Sequence, residues 1–251
     1  MMKIIISPAK KMRERGDEIP WRELPVFTDR AEILKEYMHG LSFAKLQELL
    51  HCNQQIARLN YERYQNMNLM GNLTPALLSY EGIQYQYMAP TVFTVQQWEY
   101  VQNHLRIISG FYGLLKPLDG VVPYRLEMQT RFQEAPWKNL YEFWKDDIYS
   151  ELTEDTHLVV NLASKEYSRT VERYLSGKVK YVTCVFGELV KGRVKTKGTL
   201  AKMARGEMVR WMSEEGVSTQ EELEQFHGLG YCFAPEYSQA DTLTFLGKAD
   251  G

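Results

Sequence analysis

The chain has 251 residues, 44% of them hydrophobic and 25% charged, with 5 Trp, 16 Tyr and 10 Phe. That is the composition of a globular protein with a sizeable core, and it excludes extensive disorder. Thirty basic residues stand against thirty-two acidic ones, a net charge of −2, which excludes a polycation and leaves any nucleic-acid contact to a local patch.

Cysteines 52, 184 and 232 and histidines 39, 51, 104, 157 and 227 are scattered. Neither a disulfide framework nor a clustered metal set follows from such spacing, so no metal and no cofactor is expected. The apolar run Ile4-Ile5-Ile6 is too short for a signal peptide, and no run reaches membrane-span length. The expected compartment is the reducing cytoplasm, with no membrane partner and no protein partner inferable.

Residues 3 to 7 (KIIIS) read as a short strand buried on both faces. The strand stops at Ser7-Pro8. A loop from Ala9 to Gly16 follows, with four positive charges and one negative. It is either a solvated basic loop or, with Ser7 and Lys10 at a strand's carboxyl end, part of a ligand-binding edge. Asp29 to Gly40 reads as a helix capped by Asp29, with Glu32 completing a capping box and Gly40 ending it. Ser42 opens a second helix to Leu50, and Asn53 opens a third to about Gln65. Ser42 to Gln65 is therefore a helical hairpin. Its turn, His51-Cys52-Asn53, has no glycine pair, so an ordinary packed αα-hairpin is the plainer reading than a DNA-binding one. Thr74-Pro75 marks a helix start or turn, and the alternation over Ile83 to Met88 predicts a strand with an aromatic face. Thr94 and Gln97 form a capping box for a helix through His104.

That helix delivers the chain into the stretch from His104 to Met128. An apolar strand (Leu105, Ile107, Ile108) breaks at Ser109-Gly110, where exposed backbone N–H groups suit an anion. Gly113, Pro117, Asp119-Gly120 and Pro123 make a turn-rich passage to Tyr124-Arg125-Leu126-Glu127. Arg125 and Glu127 lie two apart, on one face of an extended segment. They form part of a site or merely pair with each other.

Leu140 to Leu152 reads as a helix, and His157 to Leu162 as a third buried strand. Polar and small residues end this strand at Asn161 to Ser164, before a helix from Lys165 to Leu175. Three apolar strands thus end in Ser or Asn and, if they are neighbours, converge at one sheet edge. Val179 to Val190 and Arg193 to Lys197 form a hairpin over Lys191-Gly192. Thr199 to Met212 is an amphipathic helix with Lys202, Arg205 and Arg210 opposite its apolar face, and Gly206 among them open to close approach of a partner. From Gly187 to Met212, seven basic residues stand against Glu188 and Glu207. Ser218 with Glu221 caps a short acidic helix, and Tyr231–Phe233 and Thr242–Phe245 pair antiparallel. No linker or repeat divides the chain, so a single domain spanning 1–251 is expected.

Five of these segments, Ile6–Lys10, Leu105–Asp119, Pro123–Met128, Asn161–Tyr167 and Lys202–Met208, resemble in order the YaaA family of bacterial peroxide-stress proteins. The resemblance implies a single α/β domain of unusual topology, a mixed sheet flanked by helices with a helix-hairpin-helix-like element. It also implies a cytoplasmic role in limiting hydrogen peroxide damage and DNA binding through a positively charged cleft. Carried over by motif, Lys10, Arg125, Lys165, Lys202 and Arg205 would contact nucleic acid, with Arg210 on the same basic helix. Ser7, Ser109, Gly110, Tyr112, Glu127, Asn161, Ser164 and Tyr167 would line the cleft. The glycine-free turn at His51 to Asn53 departs from the usual hairpin pattern.

Two functions from different classes fit these residues. One is a stress protein without catalysis of its own that binds double-stranded or locally melted DNA, its cations neutralising phosphates with little sequence preference. Tyr80, Tyr85 or Tyr112 would stack on an unpaired base. The other is an enzyme acting on a nucleobase, nucleotide or other anionic substrate. There Glu127 or Asp119 would be the acid or base, Lys10 or Arg125 would hold the anion, and Tyr167 would donate a second proton. An iron-binding buffer finds no clustered His and carboxylates to support it.

Overall fold

A computed structural model of the protein describes residues 1–14 and 19–247. The main sheet is built outward from the first strand, Met2–Ile6 (β1), buried at every residue. An apolar run without alternation can only be satisfied with both faces covered. Leu105–Ser109 (β2) lies parallel on one side, Ile4 opposite Leu105 and Ile6 opposite Ile107. Gly113–Leu115 (β3) folds back antiparallel onto β2. On the other side, Leu158–Asn161 (β4) is parallel to β1, with Ile5 opposite Asn161.

Lys180–Val190 (β5) continues the parallel sheet beside β4 and forms a hairpin with Arg193–Lys195 (β6). Lys191 and Gly192 between them have φ of 51° and 73°, the left-handed pair of a type I′ turn. Cys232–Phe233 (β7) and Thr242–Leu246 (β8) pair antiparallel, and β8 lies parallel to β5. The order is β7-β8-β5-β4-β1-β2-β3, with β6 joined to β5. The fold is mixed α/β, as expected. The buried apolar side chains form one continuous cluster around this sheet.

Helices Thr28–His39 (α1), Phe43–Leu49 (α2) and Gln54–Gln65 (α3) follow the first strand. Ser42 and Asn53 cap α2 and α3 through their side chains, as their spacing predicts. Asp29 does not cap α1. The helix begins one residue earlier because Thr28 Oγ1 donates to Pro25 O at 2.6 Å, and Phe27 is the cap residue, without a side-chain hydrogen bond. Asp29 contributes charge to the first turn instead. Glu32 pairs with Lys35 rather than closing a capping box.

Ala76–Ser79 (α4) and Ile83–Met88 (α5) come next. The strand predicted over Ile83 to Met88 is therefore a helix. Val95–His104 (α6) has the Thr94–Gln97 capping box. The helix predicted over 140–152 is two, Leu140–Trp144 (α7) and Asp147–Thr153 (α8), broken at Lys145 with φ of 48°. Lys165–Glu172 (α9) precedes β5. Gly198–Glu215 (α10) precedes Gln220–Leu223 (α11), which Thr219 and Glu222 cap, one residue beyond the predicted Ser218 and Glu221.

Helices α5 and α10 cross at Gly206. A Cβ there would stand 2.1 Å from Gln84 O and 3.0 Å from Met88 N. The partner that Gly206 admits is thus α5 of the same chain, and Gly206 is buried rather than part of an open polar face. This packing overrides the period-2 pattern of Tyr85 and Tyr87: as a helix, the segment buries Gln84, Tyr85 and Met88 together. Among the described residues no helix is long and apolar enough to cross a membrane. Arg15 and Gly16 of the basic loop lie outside the described residues.

Candidate functional site

The carboxyl ends of β1, β2 and β4 stand side by side because β1 pairs with both neighbours in parallel. Their small polar residues first satisfy the backbone as it leaves the sheet. Ser7 Oγ accepts from Ser164 N at 2.8 Å and donates to Ser164 Oγ at 3.2 Å, tying the first strand end to the third. Asn161 Oδ1 accepts from Ala163 N at 2.9 Å. Ser109 Oγ accepts from Phe111 N and Tyr112 N at 3.1 and 2.8 Å. It also contacts Tyr124 Oη at 2.6 Å, which in turn reaches Tyr80 Oη at 2.7 Å. Gly110 faces Leu126 O, which a Cβ would meet at 2.5 Å. Tyr112 Oη accepts from Val122 N at 3.2 Å.

These roles bury Ser109, Gly110, Tyr112 and Asn161 beneath the site, so none lines the cleft as predicted. The three rings expected to stack on a base, Tyr80, Tyr85 and Tyr112, are all buried. Tyr85 lines the cavity, its hydroxyl donating to Ser7 O at 3.0 Å.

Above the strand ends lies a cavity of about 320 Å³. Lys10, Lys11, Arg125, Lys202 and Arg205 line it against Glu81, Glu127 and Glu166, a local positive surplus in a chain of net charge −2. Glu127 joins Lys10 Nζ at 2.7 Å and Arg125 Nη2 at 3.0 Å. The Arg125–Glu127 pairing weighed from their spacing therefore exists, and it lies inside the cavity. Both side chains are largely buried, whereas Lys10 is 62% exposed. Tyr64 Oη donates to Arg125 O at 3.0 Å and anchors that segment to α3.

Glu166 accepts from Gln129 N at 3.3 Å. Burial holds its carboxyl above the usual range, and the charge of Glu127 adds to the shift. Burial likewise raises the Tyr167 phenol. Arg205 sits on α10 with its guanidinium held below its ordinary value by burial. Its neighbour in charge is the Cys184 thiol, which burial pushes up to about 12.

The remaining predicted residues stand apart. Lys165 is 81% exposed and pairs with Glu172 at 2.5 Å, off the cavity wall. Arg210 pairs with Glu214 at 2.9 Å, one turn along α10 and away from the cavity. Asp119 is buried off the cavity wall, beside Glu23 and accepting from Lys116 N at 2.9 Å. It does not line the cavity that holds Glu127.

Sequence reasoning missed Gln84, Glu81, Lys11, Leu126, Tyr124 and Glu166 as lining residues. The helical state of Ile83 to Met88 is what brings Gln84 to the wall, and the strand assignment hid it. A signal for Glu166 was present, one residue before Tyr167. Lys10 and Glu127 also line a second cavity, with Leu49, Leu50 and His51 of the α2–α3 turn. Among the described residues, no group of three or more His, Cys, Asp or Glu could hold a metal ion.

A family model described as "Peroxide stress protein YaaA" matches residues 2–237. A UPF0246 protein of Desulfitobacterium hafniense is 52% identical over 245 residues, covering 98% of both chains. A UPF0246 protein of Lachnoclostridium phytofermentans is 51% identical over 245 residues, covering 98% of this chain and 96% of its own. One from Agathobacter rectalis is 48% identical over 247 residues, covering 98% and 99%.

Proposed function

The chain belongs to the peroxide stress protein YaaA family, and from that premise we propose that it is a cytoplasmic stress protein that binds DNA, largely without sequence preference, along a basic trough. The observation that carries this reading is the sharing of Lys10 and Glu127 between two cavities. One cavity is closed by α10 with Lys202 and Arg205, and the other by the turn of the α2–α3 hairpin. On this reading the hairpin and the basic cavity, which meet at these two residues, act together as one trough. An extended polyanion suits such a surface, because each exposed lysine can neutralise a phosphate while the base edges stay unread. The glycine-free turn offers only part of its backbone to a phosphate, since Asn53 already caps Ile56 N at 2.9 Å. The lysines therefore carry most of the affinity.

The test is a salt series of binding to plain, bubbled and single-stranded DNA, for wild type and for Lys10→Glu with Lys202→Glu. The wild-type log–log slope should reach several units and fall by about one for each phosphate contact removed. Absent binding, or a slope the double charge reversal leaves alone, would overturn the reading.

A further inference from the structure

Among the buried side-chain N and O atoms without a hydrogen-bond partner, three N–H donors line the cavity at the strand ends: Gln84 Nε2, Arg125 Nε and Arg205 Nε. Gln84 is only 6% exposed. Buried donors are ordinarily satisfied, and a guanidinium out of water is costly unless an anion accompanies it. Arg125 has Glu127. Arg205 has no ion pair among the described residues, and its charge neighbour is a thiol. The fold nevertheless places it beside Gln84, because Gly206 lets the α5 backbone press against α10 at the next residue.

The carboxylates of the cavity are engaged elsewhere: Glu81 pairs with Arg13 at 2.8 Å, and Glu127 and Lys10 both act on Glu166, whereas none of these acts on Arg205. The cavity therefore offers an uncompensated cation with an amide donor, a separate group of carboxylate acceptors, and the rings of Tyr85 and Tyr167. Its volume of about 320 Å³ is at the small end of ligand pockets. A simple inorganic anion would use the first feature and make no use of the acceptors and rings. A ligand with one phosphate, a flat ring and N–H groups on that ring's edge would use all three.

We propose that this cavity binds a single nucleotide, its phosphate on Arg205 and Gln84 and its base toward Glu127 and Glu166. The nucleotide comes either free, as a nucleoside monophosphate, or turned out of a DNA strand held in the trough. The assignment goes beyond backbone binding, since exposed lysines alone would hold a fully paired duplex.

Calorimetric titration of the full chain with the four 2′-deoxynucleoside 5′-monophosphates, the matching nucleosides and inorganic phosphate tests the free source. Fluorescence of 2-aminopurine placed at a mismatch in duplex DNA tests the strand source, because the probe brightens on leaving the stack. At least one source should give a wild-type signal that Arg205→Gln weakens tenfold or more and Lys202→Gln, at an exposed position, weakens several-fold. Binding of monophosphates without a 2-aminopurine change assigns the free source, and the converse assigns the strand. If the nucleotides bind, they should do so at least tenfold more tightly than phosphate or nucleoside.

Arg205→Gln should also raise the urea midpoint of the unliganded protein, because it removes a half-buried cation that has no ion pair among the described residues. That gain separates a lost ligand from a lost fold. Phosphate binding as well as the monophosphates, silence from both probes, or signals unchanged in Arg205→Gln would overturn the inference. Salt-dependent binding of plain duplex surviving that failure would leave the trough intact.

Discussion

Asp119 shows how a polar side chain that looks chemical can be structural. Its Oδ2 accepts from Lys116 N, whereas its Oδ1 meets no donor. Burial pushes the carboxyl up to about 7, and Glu23 adds to the shift. An acid whose folded value lies above its unfolded value near 4 holds its proton more tightly when folded. Stability is then highest below about pH 4 and declines as pH rises toward 7. Asp119→Asn should remove that decline. The variant should gain on wild type in urea midpoint between pH 4 and pH 8, by at most about 4 kcal/mol at about 1.4 kcal/mol per unit. Equal midpoints across that window would contradict the assignment.

Eight residues foreseen from the sequence, Ser7, Lys10, Arg125, Glu127, Ser164, Tyr167, Lys202 and Arg205, do line the cavity. Ser109, Asn161 and Tyr112 were equally prominent and do not. A small polar residue at a strand end can face outward or turn back on its own backbone, and spacing alone does not distinguish the two.

At the scale of elements, the strands that stood out as unbroken apolar runs are the centre of the sheet, because no other environment accommodates them. The largest failure originates in a contact distant along the chain. Tyr85 and Tyr87 alternate like a strand, yet α10 draws the segment into a helix across Gly206. Lys145 adopts a left-handed φ without a glycine or proline to announce it. Gly206→Ala should lower stability by about 1–3 kcal/mol, the usual cost of overpacking, because the backbone of α5 must retreat. A melting temperature unchanged by this substitution would mean the two helices are not in contact there. Lys191→Gly should do the opposite in the β5–β6 turn. Relieving a left-handed lysine should add about 1 kcal/mol, read as a higher midpoint at an unchanged denaturant slope.

For the whole molecule, charge distribution matters more than its sum. A chain of net charge −2 lines one cavity with five cations and three carboxylates, and there Glu127 offsets two of the cations. Under the proposed DNA binding, Glu127→Gln should tighten the complex several-fold at low salt and steepen its salt dependence by about one unit. An acid–base catalyst with that residue at its centre would instead lose its reaction.

The sheet order has a consequence for biosynthesis. The first strand made, Met2–Ile6, lies between Leu105–Ser109 and Leu158–Asn161. At about 5–20 residues per second, the ribosome takes on the order of ten seconds or more to deliver its second neighbour. Throughout that interval the nascent chain carries an apolar edge with no native partner on at least one side. An unpaired apolar edge of this kind is prone to aggregation until its neighbours arrive. A member of a peroxide stress protein family thus completes the centre of its sheet only late in translation.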